Sequence, residues 1–127
     1  MITYNVFGDA YLLEEYSGKV NEKEYFSLKQ SQLQKTDYFS IKGIVMDFRK
    51  MKMRATRKMI KRFVQLILRN QEILANKSIA ILTKTMEQLN FSYLLRESLE
   101  QHAIPVHIRE FSSKQDAFHW LNTGAKQ

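Results

Sequence analysis

Hydrophobic and polar positions change their period several times along the chain, and each change marks an element. Residues 2–7 and 10–17 read as two short strands joined by a Gly8-Asp9 hairpin turn, so antiparallel pairing is expected. Asn21 and Glu24 then stand at N-cap and N3 spacing, and Val20 with Tyr25 forms a hydrophobic staple. A helix over 21–35 follows, with Tyr25, Leu28, Lys29 and Leu33 on one face. After a break at Thr36-Asp37, Gly43-Ile44-Val45-Met46-Asp47-Phe48 is a short apolar run of the kind found in strands covered on both sides. The clearest helical period comes next, because Ile60, Phe63, Val64, Ile67 and Leu68 fall at i, i+3, i+4, i+7 and i+8. Thr56 is its natural N-cap.

Ser78-Ile79-Ala80-Ile81-Leu82 is another buried strand, and Thr85 with Gln88 forms a capping box for a helix expected to turn Leu89, Tyr93 and Leu99 inward. Ile104 to Phe111 is the last strand, with Pro105 near its start where a missing donor is tolerated. Ser112 or Ser113 caps a terminal helix holding Ala117, Trp120 and Leu121. The order ββαβαβαβα implies a single α/β domain over residues 1–127. Its mixed sheet of about five strands pairs in parallel through the helical connections, with helices on at least one face. Ligands of such sheets lie beyond the carboxyl ends of the strands, here Asp47 to Thr56, Thr83 to Thr85 and Glu110 to Ser113.

Composition narrows the chemistry. With 127 residues, 44% of them hydrophobic, the chain can bury a core unaided. The absence of cysteine excludes disulfides, thiolate metal sites and a cysteine nucleophile, and is compatible with the cytoplasm. No basic, apolar leader and no run of about 20 apolar residues is present, so neither secretion nor membrane spanning is expected. His102, His107 and His119 are scattered without metal-ligand spacing, and no GxSxG, P-loop or GxGxxG occurs. No catalytic residue, cofactor or metal is therefore expected, and the reading is non-enzymatic.

The net charge of +7 is concentrated in one place. Arg49, Lys50, Lys52, Arg54, Arg57, Lys58, Lys61 and Arg62 include no acid among them, and removing that window leaves 12 basic against 13 acidic residues. The protein is a nearly neutral domain with one positive patch. Cations in the first two turns of a helix oppose its macrodipole, so local helix stability does not explain them. The patch lacks interleaved aromatics, which disfavours specific nucleic-acid binding. Met51 and Met53 alternate with Lys50, Lys52 and Arg54; they are either packed or part of an adaptable apolar surface beside the cations.

A resemblance appears at this point. The strand Ile44-Val45-Met46-Asp47-Phe48-Arg49, a spacer, and Thr56 opening a long helix nine residues after Asp47 resemble the STAS or SpoIIAA-like superfamily. The terminal Asp116-Ala117-Phe118-His119-Trp120-Leu121 also resembles the final helix of its divergent bacterial members. In the anti-anti-sigma proteins of that superfamily, a serine at the position of Thr56 is phosphorylated by a partner kinase. Here the family's Asp-Ser-Ser-Gly turn is replaced by Ala55-Thr56-Arg57-Lys58. The resemblance implies a regulatory, protein-binding module. Thr56 is then an ordinary N-cap or a phosphoacceptor, with Arg54, Arg57 and Lys58 around the anion. A partner would meet Asp47, Arg49, Lys50, Met51, Lys52, Met53, Lys61 and Arg62. The alternative is an anionic lipid, a membrane surface or a small amphiphile bound by the same patch, given the kinship of SpoIIAA-like and Sec14-like folds.

Overall fold

The computed structural model describes residues 1–8, 10–52 and 56–123. Its elements are β1 (Ile2–Phe7), β2 (Tyr11–Gly18), α1 (Glu22–Lys35), β3 (Gly43–Met51), α2 (Arg57–Arg69), β4 (Ser78–Leu82), α3 (Met86–Gln101), β5 (His107–Phe111) and α4 (Lys114–Thr123). Single 3-10 turns occur at Tyr38–Ser40 and Gln71–Ile73. The strands lie in chain order, β1 antiparallel to β2 and the remaining pairs parallel. The expected element order and mixed sheet are both present.

Sequential strand order has a steric consequence. Right-handed crossovers that all step the same way carry α1, α2 and α3 onto one face of the sheet. There Tyr25, Ile60, Phe63, Phe91 and Leu95 pack with Leu12, Ile44, Met46 and Ile81. The last helix, α4, is not a crossover and covers the other face, where Ala117 and Leu121 meet Val45, Ala80 and Leu82. Gly43 permits that seat: a Cβ there would lie 2.9 Å from Leu121 Cδ2 and 3.1 Å from Tyr11 Cδ1.

Local chemistry fixes the helix starts. Asn21, Thr56 and Thr85 accept from the backbone N–H groups of Glu24, Met59 and Gln88, and Ser113 Oγ accepts from Asp116 N. Three expectations shift. Asp9 lies outside the described residues, and β2 starts at Tyr11 after Gly8, whose φ of +56° suits glycine in the turn. The last strand starts at His107, so Pro105 precedes it and no strand donor is lost. In α3, Tyr93 is 44% exposed, and the buried face is Gln88, Phe91, Ser92, Leu95 and Leu99. Two polar residues on that face displaced the apparent period. Both have partners: Gln88 Nε2 donates to Met51 O at 2.9 Å, and Ser92 Oγ to Glu110 at 2.6 Å.

Under α1 lies a buried polar cluster. Lys29 Nζ donates to Glu14 Oε2 at 2.5 Å and to Gln32 Oε1 at 3.1 Å, while Gln32 Nε2 and the Tyr16 hydroxyl also donate to Glu14. Both charged side chains are fully buried. Lys77 is a second buried amine, donating to the carbonyls of Tyr38 and Ile41 and lying 4.3 Å from the Tyr38 ring centroid.

Burial, with the Lys29 charge adding to it, pushes the Lys77 amine down from 10.5 to about 8. Between those values the unfolded chain holds a proton that the folded chain has released, so stability rises with pH through that interval; the penalty is complete below about 8. Urea midpoints of the native protein are therefore expected to climb between pH about 8 and about 9.5, and Lys77→Met to climb less. Equal slopes would show that Lys77 does not titrate there. Tyr16 and Tyr25, raised by burial and then by the Glu14 charge, oppose the trend only at higher pH.

Candidate functional site

The carboxyl ends of β3, β4 and β5, with the residues that follow β4 and β5, form an open cleft of about 580 Å³, lined by Asp47, Arg49, Lys50, Thr83, Lys84 and Ser112. Its shape depends on an irregularity in β3. Glu15 is paired with Asp47, but Ser17 is paired with Lys50, so β3 carries one residue more than β2 across that interval. Such a bulge re-aims side chains. Phe48 and Met51 both enter the core, and Arg49 and Lys50 between them both reach the cleft. Pairing to β4 ends at Asp47 and Leu82, which leaves the tip of β3 free on that side. Gln88 then ties the tip to α3: its amide donates to Met51 O, while its Oε1 accepts from Lys84 N and Thr85 N. Across the cleft floor, Thr83 N donates to Phe111 O at 3.0 Å.

Arg49 grips Asp47 in a fork, Nε to Oδ1 and Nη2 to Oδ2, each at 2.9 Å, and Arg49 N adds a bond of 3.1 Å. Burial alone would raise the Asp47 carboxyl, but the Arg49 bonds outweigh it, Lys114 adds to the pull, and the carboxyl is held below its usual range. That pair is self-compensating. Lys50 and Lys84 are exposed, and among the described residues neither is in an ion pair, so the cleft is left positive.

Beyond β3, Thr56 caps α2 with extended backbone (φ −89°, ψ 151°), and its Oγ1 accepts from Met59 N at 3.2 Å. Thr56, Arg57, Lys58, Lys61 and Arg62 are exposed. The residues assigned to one patch therefore divide. Asp47, Arg49 and Lys50 line the cleft, and Arg57 and Lys58 stand at the start of α2. Arg62 lines a different groove, between α1 and α2. Lys52 is exposed next to the cleft strand, whereas Met53 and Arg54 lie outside the described residues. Met51 is a correction: it is 5% exposed and packed in the core, so it offers no apolar contact to a partner. Asp47 is likewise occupied by Arg49 rather than presented outward. Two cations were missed, Lys84 within the expected Thr83 to Thr85 segment and Arg69 on the outer face of α2. Helical spacing from Arg62 through Gln65 would have found Arg69.

Among the described residues no group of three or more histidines and carboxylates is placed to hold a metal ion, and no helix is long and apolar enough to cross a membrane. No family model and no curated protein matches the chain. Solved structures do match. An uncharacterised DUF3478-family protein with a SpoIIAA-like fold from Shewanella loihica PV-4 is 16% identical, with 95% of this chain and 92% of that one covered and a TM-score of 0.59. The anti-sigma factor antagonist SpoIIAA in its unphosphorylated form is 11% identical over 97% and 99% of the two chains, with a TM-score of 0.60. The fold is SpoIIAA-like.

Proposed function

We propose that this domain is a non-enzymatic regulatory module that binds a protein partner across the carboxyl end of its sheet, with phosphorylation of Thr56 as the means of control. The observation that carries the reading is a positive cleft, bordered by the Arg49 fork and the Gln88 tether, at the same end of the sheet as an exposed helix N-terminus capped by a hydroxyl. The structural neighbour described as an anti-sigma factor antagonist is a regulator, which supports the class. A phosphate on Thr56 would meet the positive end of α2, with Arg57 and Lys58 in its first turn. The Thr56 hydroxyl already caps α2, a role worth about 1 kcal/mol. Phosphorylation would keep an acceptor at that position and add charge.

Affinity capture from the native host, with intact-mass analysis of the recovered protein, tests the proposal. The expected result is one specific protein retained by the native domain and lost with Lys50→Glu/Lys84→Glu, whose exposed sites leave the fold intact. A mass increment of one phosphate at Thr56, absent in Thr56→Ala, is expected in part of the population. Retention of the same protein by both forms would remove the cleft from the reading. Sedimentation with phosphatidylserine vesicles, and no protein captured, would transfer it to the lipid alternative.

A further inference from the structure

A second surface lies away from the cleft. The groove between α1 and α2 has a volume of about 430 Å³; Phe26 and Leu66 are half-buried in it, and Arg62, Gln65 and Arg69 stand along its α2 side. We propose that this groove receives an acidic amphipathic helix from a partner protein, a contact separate from the strand-end cleft.

Charge carries the argument. The exposed side of α2 presents Lys58, Lys61, Arg62 and Arg69 at successive three-, one- and seven-residue steps, which places them on one side of a helix. The helix contains no acid, and among the described residues none of these cations is in an ion pair. The other three helices carry both signs, whereas α2 carries cations alone. The other three helices each place an acid in the first turn, Glu22 and Glu24 in α1, Glu87 in α3 and Asp116 in α4, whereas α2 places Arg57 and Lys58 there. Like charges four apart, as in Arg57 with Lys61 and Lys58 with Arg62, cost a few tenths of a kcal/mol each. Folding gains nothing from this arrangement, and an acidic partner removes its cost.

Shape selects the occupant. Two neighbouring helices leave a furrow that a third fills by setting its side-chain ridge between them, and the half-buried Phe26 and Leu66 supply apolar contact for that ridge. A helix with apolar residues at i, i+4 and i+7 and glutamates beside them matches this floor and this charged edge. Glu22 is the acid on the α1 side, where a cation of the partner fits. An anionic membrane fits less well, since binding in the interface needs protruding apolar side chains. Among the described residues the exposed large hydrophobic residues are Met1, Val6, Phe39, Met86 and Tyr93, none of them on α1 or α2.

The probe is a stapled peptide of leucine, alanine and glutamate with its leucines on one face, and its control has the same composition with the leucines dispersed. Binding is followed by amide shifts and by fluorescence titration. The ordered peptide is expected to shift amides along the facing sides of α1 and α2 and to bind at least tenfold more tightly than the dispersed one, about 1.4 kcal/mol. Arg62→Glu/Arg69→Glu, and the milder Arg62→Gln/Arg69→Gln, are expected to weaken it by a similar factor, while Lys50→Glu/Lys84→Glu leaves it unchanged. Equal binding of the two peptides, or loss through the cleft variant alone, would overturn the proposal without touching the cleft's own partner. Vesicles of phosphatidylserine that compete the peptide off and shift the same amides would also overturn it.

Discussion

Replacing Lys29 with methionine is expected to lower folding stability by about 3–5 kcal/mol, a large part of the 5–15 kcal/mol that holds an ordinary domain together. The side chain is as buried as any in the molecule, and its amine faces Glu14, Gln32 and the rings of Tyr25 and Tyr38. Burial drives the Lys29 pKa down and the Glu14 charge partly opposes it, so the amine is stable there only with its carboxylate. Without the amine, Glu14 keeps two neutral donors, Tyr16 and Gln32, and no countercharge. The double variant Glu14→Gln/Lys29→Met is expected to recover most of the loss, since removing both charges removes both desolvation penalties. Urea unfolding of the two single variants and the double one closes the cycle. A Lys29→Met protein within about 1 kcal/mol of the native one would mean that the buried pair contributes little to folding.

Phe48→Ala is expected to cost about 3–5 kcal/mol as well, through a different cause. Phe48 meets Tyr16 and Phe91 edge to face, with ring centroids 4.9 and 5.6 Å apart, and is 1% exposed. It also borders a small void of about 20 Å³ lined in part by Tyr25, Met46, Met51 and Phe63. Truncation merges the lost ring volume with that void. An apolar cavity large enough for a small aromatic molecule results, and such cavities stay dry. Benzene is therefore expected to raise the melting temperature of Phe48→Ala and not that of the native protein. If the variant melts within a few degrees of the native protein, the surrounding side chains have collapsed into the space.

The parts of the fold that were legible in the sequence are those fixed by nearest neighbours. Asn21, Thr56 and Thr85 cap helices because a side-chain oxygen needs only the next turn to act. The short apolar runs of β3 and β4 read correctly because both of their faces are covered. Lys29 was placed on the inward face of its helix, but no local signal joins it to Glu14, 15 positions earlier, so their pairing was invisible. The phase of α3 was misread for a related reason: Gln88 and Ser92 look like surface residues until their partners at Met51 and Glu110 are known. The candidate site was half legible. The strand-end location and most of its cations followed from element order and composition. The bulge that buries Met51 did not, because alternation alone carries no mark of an inserted residue.

That inserted residue bears on how such a protein diverges. Phe48 and Met51 anchor the end of β3 in the core, while Lys50 between them is exposed and, past Asp47, the β4 ladder has ended. Substitutions at 50 are thus little constrained by folding, whereas Arg49 also supplies the countercharge of the buried Asp47 carboxylate. A lineage can rewrite the charge of this cleft one codon at a time while its descendants keep the same interior.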